Sequence, residues 1–448
     1  MSAAQKNLYN STRIIPIAAI AAALTLTGSP ALAAPDMETR YVFNSFSFLI
    51  HGALVMWMAA GFCMLEAGLV RTKNVATMCL KNISLFSVAG IMYYLIGYQL
   101  MYDGVDGGVV GSLSIWSGDD SAAAKGDFGD GTGYAAASDW FFQMVFVATA
   151  ASIVSGTLAE RIKLWSFLAF VVVLTGAIYP IQGSWQWGGG WLSELGFNDF
   201  AGSTLVHSTG GWAALAGAIV LGARTGKYGA DGRVNPMPGS SLPLATLGTF
   251  VLWLGWFGFN GGSQLAMGTG ADVVAIANIY ANTSMAAAGG VVAAMLVSQL
   301  MYKKVDLTMA LNGAIAGLVS ITAGPDTPSI GAAILIGAVG GVLVVFAIPL
   351  LDRFKIDDVV GAISAHLVAG IWGTMAVPLT NEGATFYAQA VGVVSIGVFV
   401  FVLSLALWMA IKLTIGIRLD EESEFNGADR SELGLEAYPE FGQGSQRL

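Results

Sequence analysis

Eleven long apolar stretches, recurring along the chain at 44–70, 78–101, 139–158, 163–182, 200–222, 242–260, 273–301, 308–323, 328–350, 359–379 and 385–415, constrain the fold more than any other feature. Each is about the length that crosses a hydrocarbon layer as a helix. In lipid every backbone N–H and C=O must find its partner within the protein, and runs of about twenty apolar residues meet that demand as α-helices. The 448 residues are 55% hydrophobic and only 11% charged, too little polar surface for a soluble globule of this size. The sequence therefore predicts an all-α polytopic membrane protein with eleven transmembrane helices. Its 58 glycines suit close helix packing in lipid. The net charge of -9 resides largely in loops and the C-terminal tail and argues against a nucleic-acid partner. Cys63 and Cys79 lie in apolar runs, with neither metal spacing nor a disulfide framework, and read as packing residues.

The N-terminus is set apart from these stretches. Lys6 and Arg13, the apolar run IIPIAAIAAALTL and the small residues Ala31 and Ala33 have the layout of a cleavable signal peptide over 1–34. Basic residues then fall in alternate loops: Arg71 and Lys73, Arg161 and Lys163, Arg224 with Lys227 and Arg233, Lys303 and Lys304, and Arg353 with Lys355. The positive-inside rule puts the mature N-terminus outside and the C-terminus in the cytoplasm, as an odd number of spans requires. The membrane domain covers 35–416. The tail, 417–448, is polar and acidic, and is either a solvated end or a docking element for a partner or a neighbouring subunit.

Within this apolar background the chain has three histidines. His51 reads as a packing residue. His207 and His366 lie in the fifth and tenth stretches, each with an acid eight residues upstream, Asp199 or Asp358. HSTGGW after the first resembles HLVAGIW after the second, the echo expected of two inverted five-helix repeats followed by an extra C-terminal helix. Facing repeats would bring the two imidazoles together near the bilayer midplane. A neutral imidazole has one donor and one acceptor, is tolerable in lipid and can pass a proton. Asp199 can serve as a cation ligand or as a cap for the helix that follows it. Glu160, Arg161, Asp357 and Asp358 read as cytoplasmic helix-end residues, with Asp358 placed to orient the surroundings of His366.

Aromatic residues mark a second region. WFFQMVF carries Phe142 and Phe146 at helical spacing, WQWGGGW carries Trp187, and GWFGFNGGS carries Phe259 and Ser263. Ring faces attract small cations, and a hydroxyl beside them can accept a hydrogen bond. Singly, each reads as a packing or interfacial aromatic. No nucleophile, paired carboxylates or metal-ligand cluster joins the histidines, so the residues give no grounds for an enzyme, a metal or a cofactor.

MWMAAGFCMLEAGLVRTKN, SGTLAERI, DFAGSTLVH, GWFGFNGGS, DDVVGAISAH and SEFNGADRSELGLEAY, in this order, resemble the ammonium transporter, methylammonium permease and Rhesus protein superfamily over nearly the whole mature chain. The resemblance implies a homotrimer with one pore per subunit in the cell inner membrane, taking up ammonium, with methylammonium as an analogue. It assigns Trp187, Phe146 and Ser263 to an external recruitment site, Phe142 with Phe259 to a stacked gate, and His207 with His366 to the pore. Asp199 supports the mouth, and the tail is similar to one that meets a PII-type nitrogen-regulatory protein. Leu367 and Val359 depart from the family pattern beside His366. An ammonium-sensing receptor that signals through its tail is the alternative function.

Overall fold

The computed structural model describes residues 36–441, and the expected signal segment 1–34 lies outside them. Among the described residues there are helices and isolated bridges but no strand, and nine helices are long and apolar enough to cross a membrane. These are α1 (Met37–Leu69), α2 (Thr72–Tyr102), α3 (Ala136–Thr157), α4 (Leu164–Ser184), α5 (Ser203–Leu221), α6 (Leu242–Gly262), α7 (Gly270–Tyr302), α9 (Ile330–Arg353) and α11 (Phe386–Thr414). Two shorter apolar helices, α8 (Leu307–Ile321) and α10 (Ile363–Leu379), complete the set.

Local chemistry fixes where most of these helices begin. Asp36, Ser241, Asp306, Ser329 and Thr385 each turn a side-chain oxygen onto a first-turn N–H, and Thr269 with Asp272 forms a reciprocal capping box at α7. The fifth and tenth apolar runs start as helices later than their hydropathy suggests. Asp199 and Asp358 spend their carboxylates on the backbone of the entering turn. The chain there also passes through a left-handed glycine, Gly202 (φ 105°) or Gly361 (φ 82°), a conformation that a side chain would strain.

Burial identifies the centre of the bundle. α3 and α5 have 83% of their most apolar window inside the protein, against 33% for α7 and α11, whose outer faces are apolar and exposed. α1 lies along α6, α7 lies against α8 and α9, and α3 touches α1, α2 and α5. Four helices carry a π-turn: Tyr93–Gly97 in α2, Leu174–Ile178 in α4, Ser203–Ser208 in α5 and Ile363–Val368 in α10. They meet in pairs, α2 with α4 and α5 with α10.

One end of the bundle is covered by the 103–135 segment, which bonds to the turn around Trp187 through Gly107 N–H to the Gly189 carbonyl (3.0 Å). The opposite end carries the tail, which docks on its own chain. Its helix Glu421–Asn426 places Glu424 to accept from Thr225 N–H (2.7 Å) and Arg418 (2.7 Å). Asp429 accepts from the N–H groups of Ala76 (2.9 Å) and Thr77 (2.7 Å), and Glu432 from that of Leu164 (2.6 Å). The start of α2, the start of α4 and the segment after α5 are thereby tied together.

Candidate functional site: an aromatic mouth above a buried histidine pair

His207 and His366 meet in the middle of the bundle. Their Nδ1 atoms are 3.2 Å apart and their rings lie at 24°, with both residues buried. One Nδ1 must carry the proton and the other accept it, so the contact holds with both rings neutral. His207 is further fixed by stacking on Trp256 (centroids 4.8 Å apart, 17°), whose indole N–H donates to Thr322 Oγ1 (2.8 Å). Nε2 of His207 has no hydrogen-bond partner among the described residues. His51 is of the packing kind, bonded to the hydroxyls of Ser47 and Tyr280 (3.0 Å each).

The meeting depends on a close crossing of α5 and α10. Each histidine is followed four residues later by a glycine, Gly211 or Gly370. A β-carbon on Gly211 would lie 2.6 Å from Leu367 Cβ, and one on Gly370 only 2.4 Å from the Ser203 carbonyl oxygen. Leu367 thus fills the space that Gly211 leaves on the partner helix.

The two upstream acids have matched geometry. Asp199 accepts from the N–H groups of Gly202 (3.1 Å), Ser203, Thr204 and Leu205 (2.8 Å each). Asp358 accepts from those of Ala362 (3.0 Å) and Ile363 (2.8 Å), and from the Thr157 hydroxyl (2.8 Å). Burial pushes each carboxyl up to about 6 against these hydrogen bonds, and both are aimed at a helix N-terminus. Of the two roles open to Asp199 in the sequence, the geometry selects capping. Its own carbonyl also accepts from the Trp187 indole N–H (2.9 Å), so the residue holds the mouth and the His207 turn together.

The aromatic residues converge, with one rearrangement of the expected order. Phe146, not Phe142, stacks on Phe259 (centroids 4.0 Å apart, 23°), and Phe259 in turn lies 5.2 Å from the His207 ring. Phe142 stands one turn nearer the start of α3, edge-on to Phe48 at 5.2 Å. Equal helical spacing from a common face cannot tell which of two phenylalanines meets a ring on another helix; the height of α6 against α3 decides that. Phe142, Phe146, Trp187 and Ser263 together line a cavity of about 380 Å³, with Asp139 and several tyrosines. Phe146 is its floor, and Ser263 donates to the Phe259 carbonyl (2.8 Å).

The chain as a whole has counterparts. Residues 46–438 match the model of the Ammonium Transporter Family. The chain belongs to the ammonium transporter family. It is 40% identical over 439 residues to Ammonium transporter Amt2 of Archaeoglobus fulgidus, covering 91% of this chain and 90% of that one. It is 33% identical over 411 residues to an ammonium transporter of Bacillus subtilis, covering 87% and 97%. Among solved structures, one described as a sensor Amt protein superposes with a TM-score of 0.81 at 34% identity, covering 88% of this chain and 99% of that one. Candida albicans Mep2 superposes with a TM-score of 0.74 at 25% identity, covering 87% and 89%. The ammonium transporter relatives are named for transport, not for a catalytic activity.

Several polar residues of this family member escaped the sequence reading. Glu66 and Lys81 are acid and base inside apolar helices, and their presence there was the available signal. Asp139 opens α3 in the mouth, bonded to the Tyr98 hydroxyl and to Gln143 (3.2 Å). The helix-end charges that the sequence did mark are joined at the tail end: Arg224 pairs with Asp357 (2.8 Å) and approaches Glu160 (3.4 Å), which also holds Arg71; Arg161 is spent on the carbonyls of Thr157, Ala159, Gly222 and Asp357. Burial works to push Asp357 up, but hydrogen bonds from Arg224 and the charges of Arg161 and Arg224 outweigh it and hold the carboxyl well below the usual range.

Proposed function

We infer that the chain conducts ammonium across the membrane by separating it into ammonia and a proton. One alignment supports this reading: a cavity with Trp187, Phe142 and Ser263 on its wall, the Phe146–Phe259 stack below it, and the His207–His366 pair next in line. A bare cation in the bilayer centre is costly and neutral ammonia is not, so the substrate is held as ammonium at the mouth and crosses as ammonia. Ring faces and the Ser263 oxygen favour the cation, each ring face contributing roughly 0.5–2 kcal/mol. The rings of Phe146 and Phe259 exclude water, and the neutral imidazoles give ammonia both a donor and an acceptor.

The eleven helices all cross the membrane in this reading, α1–α5 and α6–α10 being inverted repeats and α11 an addition. The matched acid, left-handed glycine, π-turn, histidine and close-contact glycine in α5 and α10 support the repeat. The mouth faces outward and the tail the cytoplasm of a cell inner membrane, as the loop charges argue. The exposed apolar flanks suit a homotrimer. The docked acidic tail is the contact for a PII-type regulatory protein. Residues 35–416 form the transport domain, 417–448 the tail and 1–34 the signal segment.

Solid-supported membrane recordings of proteoliposomes test the path. His207→Ala and His366→Ala should each abolish ammonium selectivity or the ammonium-evoked current; undiminished, selective currents in both would overturn the relay. The likeness to a sensor Amt protein supports a second reading, an ammonium receptor with little flux. Growth of a transport-deficient host on limiting ammonium separates the two, since a correctly inserted sensor would not restore it.

A further inference from the structure

Beyond the histidine pair, on the side of the tail, lies a smaller cavity of about 10 Å³, close to the least that holds a single water. His366 lines it, as do Phe62 and Glu66, one helical turn apart on α1. The Phe62 ring centroid is 6.1 Å from that of His366, and the next turn of α1, which bears Glu66, lines the same cavity as the imidazole.

Glu66 is 1% exposed and only half satisfied. Its Oε2 accepts from Asn82 (3.0 Å) and from the Ser155 hydroxyl (2.7 Å), while Oε1 has no hydrogen-bond partner among the described residues. A purely structural tie between α1, α2 and α3 needs only Oε2. An unpaired carboxylate oxygen in a buried cavity is costly to retain without a use. Lys81, also buried, donates to the Ser155 carbonyl (2.8 Å). The titratable groups around Glu66 are Lys81 of α2, His366 of α10 and the thiols of Cys63 and Cys79.

The geometry points to Glu66 as a second proton station, which takes over from the histidine pair on the tail side of the conduction path. His366 spends Nδ1 on His207, leaving Nε2 as the ring nitrogen for this exchange. An Nε2–H bond of protonated His366 breaks and an Oε1–H bond forms on Glu66, directly or through one water, returning the imidazole to neutrality. The Oε1–H bond then breaks, and the proton passes to water or ammonia on the tail side, restoring the carboxylate and regenerating ammonium. Each cycle begins and ends with the same protonation states.

This inference rests on the transport reading, and its test keeps the two apart. Proteoliposomes holding the full chain, Glu66→Gln or Glu66→Asp are assayed for labelled methylammonium uptake and for charge moved on a solid-supported membrane. Glu66→Gln should lower the charge moved per methylammonium taken up by at least about tenfold. Its melting temperature should stay near the parent's, and Glu66→Asp should recover most of the charge. An unchanged charge-to-uptake ratio in Glu66→Gln overturns the proposal, even if uptake and melting temperature fall together, because that pattern marks a structural tie. Uptake without current in the parent chain also overturns it while leaving transport standing. Absence of both uptake and current in the parent chain would overturn the transport reading itself, and the proposal with it.

Discussion

Phe142 and Phe146 occupy equivalent faces of α3, yet only Phe146 reaches Phe259, and only Phe142 has its ring against Phe48. Phe146→Ala should therefore change water exclusion and selectivity in proteoliposome uptake, whereas Phe142→Ala should act through apparent affinity. Trp187 has a different task, since its ring forms the cavity wall while its N–H is committed to the Asp199 carbonyl. If Trp187 recruits the cation as proposed, its removal takes away cation–π attraction of roughly 0.5–2 kcal/mol, and Trp187→Ala should raise the half-saturating methylammonium concentration about two- to thirtyfold. An unchanged value would remove Trp187 from the recruitment site. The histidines were legible from the sequence because ionisable residues are rare in apolar helices. Glu66 carried the same signal but lay inside a stretch that reads as a family motif, and its orphan oxygen exists only once α1, α3 and α10 are assembled.

At the scale of elements, α5 and α10 are built alike: acid, left-handed glycine, π-turn with histidine, and then a glycine at the crossing. The acids hold these turns, so their loss should act on both helices in the same way. Asp199→Ala and Asp358→Ala should each lower stability by at least about 2 kcal/mol, a buried cap lost together with N–H groups left unpaired. Thermal melting in detergent measures this, and uptake should fall with it; Asp199→Asn, which keeps an acceptor, should be milder. A melting temperature unmoved by Asp199→Ala would contradict the capping role. The acid-to-histidine spacing was visible in the sequence, whereas the π-turns were not, because a single wide turn leaves no mark in composition or period.

For the molecule as a whole, the tail end is stapled by charge. The Asp357 carboxyl is held below its ordinary value, which means that it adds stability present in full above about pH 4 and lost only as pH falls through its lower folded value. Asp357→Asn leaves Arg224 buried with only the longer Glu160 contact and should cost roughly 3 kcal/mol at neutral pH. The difference in melting temperature between parent and variant should persist from pH 7 to about pH 4 and narrow below it. The tail is joined to this end through Asp429, whose carboxylate caps the turn at Ala76 and Thr77. Asp429→Ala should release it at a cost of about 1 kcal/mol, seen as faster tryptic cleavage at Arg430 with the membrane helices intact. Equal cleavage rates would show that the other tail contacts suffice.

The sequence by itself determined that the chain is helical and built for lipid, roughly where its helices run, and that two histidines with their upstream acids are special. Each of these follows from local composition or spacing: an apolar run must bond its own backbone, and an ionisable side chain within one needs a partner. The tertiary structure decided which ring stacks on which and that Asp199 caps rather than coordinates. It also decided that the tail folds back onto its own chain and that Glu66 opens onto the same cavity as His366. Those outcomes depend on the relative height and closeness of helices distant in sequence, which glycines at the crossings set and a one-dimensional pattern does not encode.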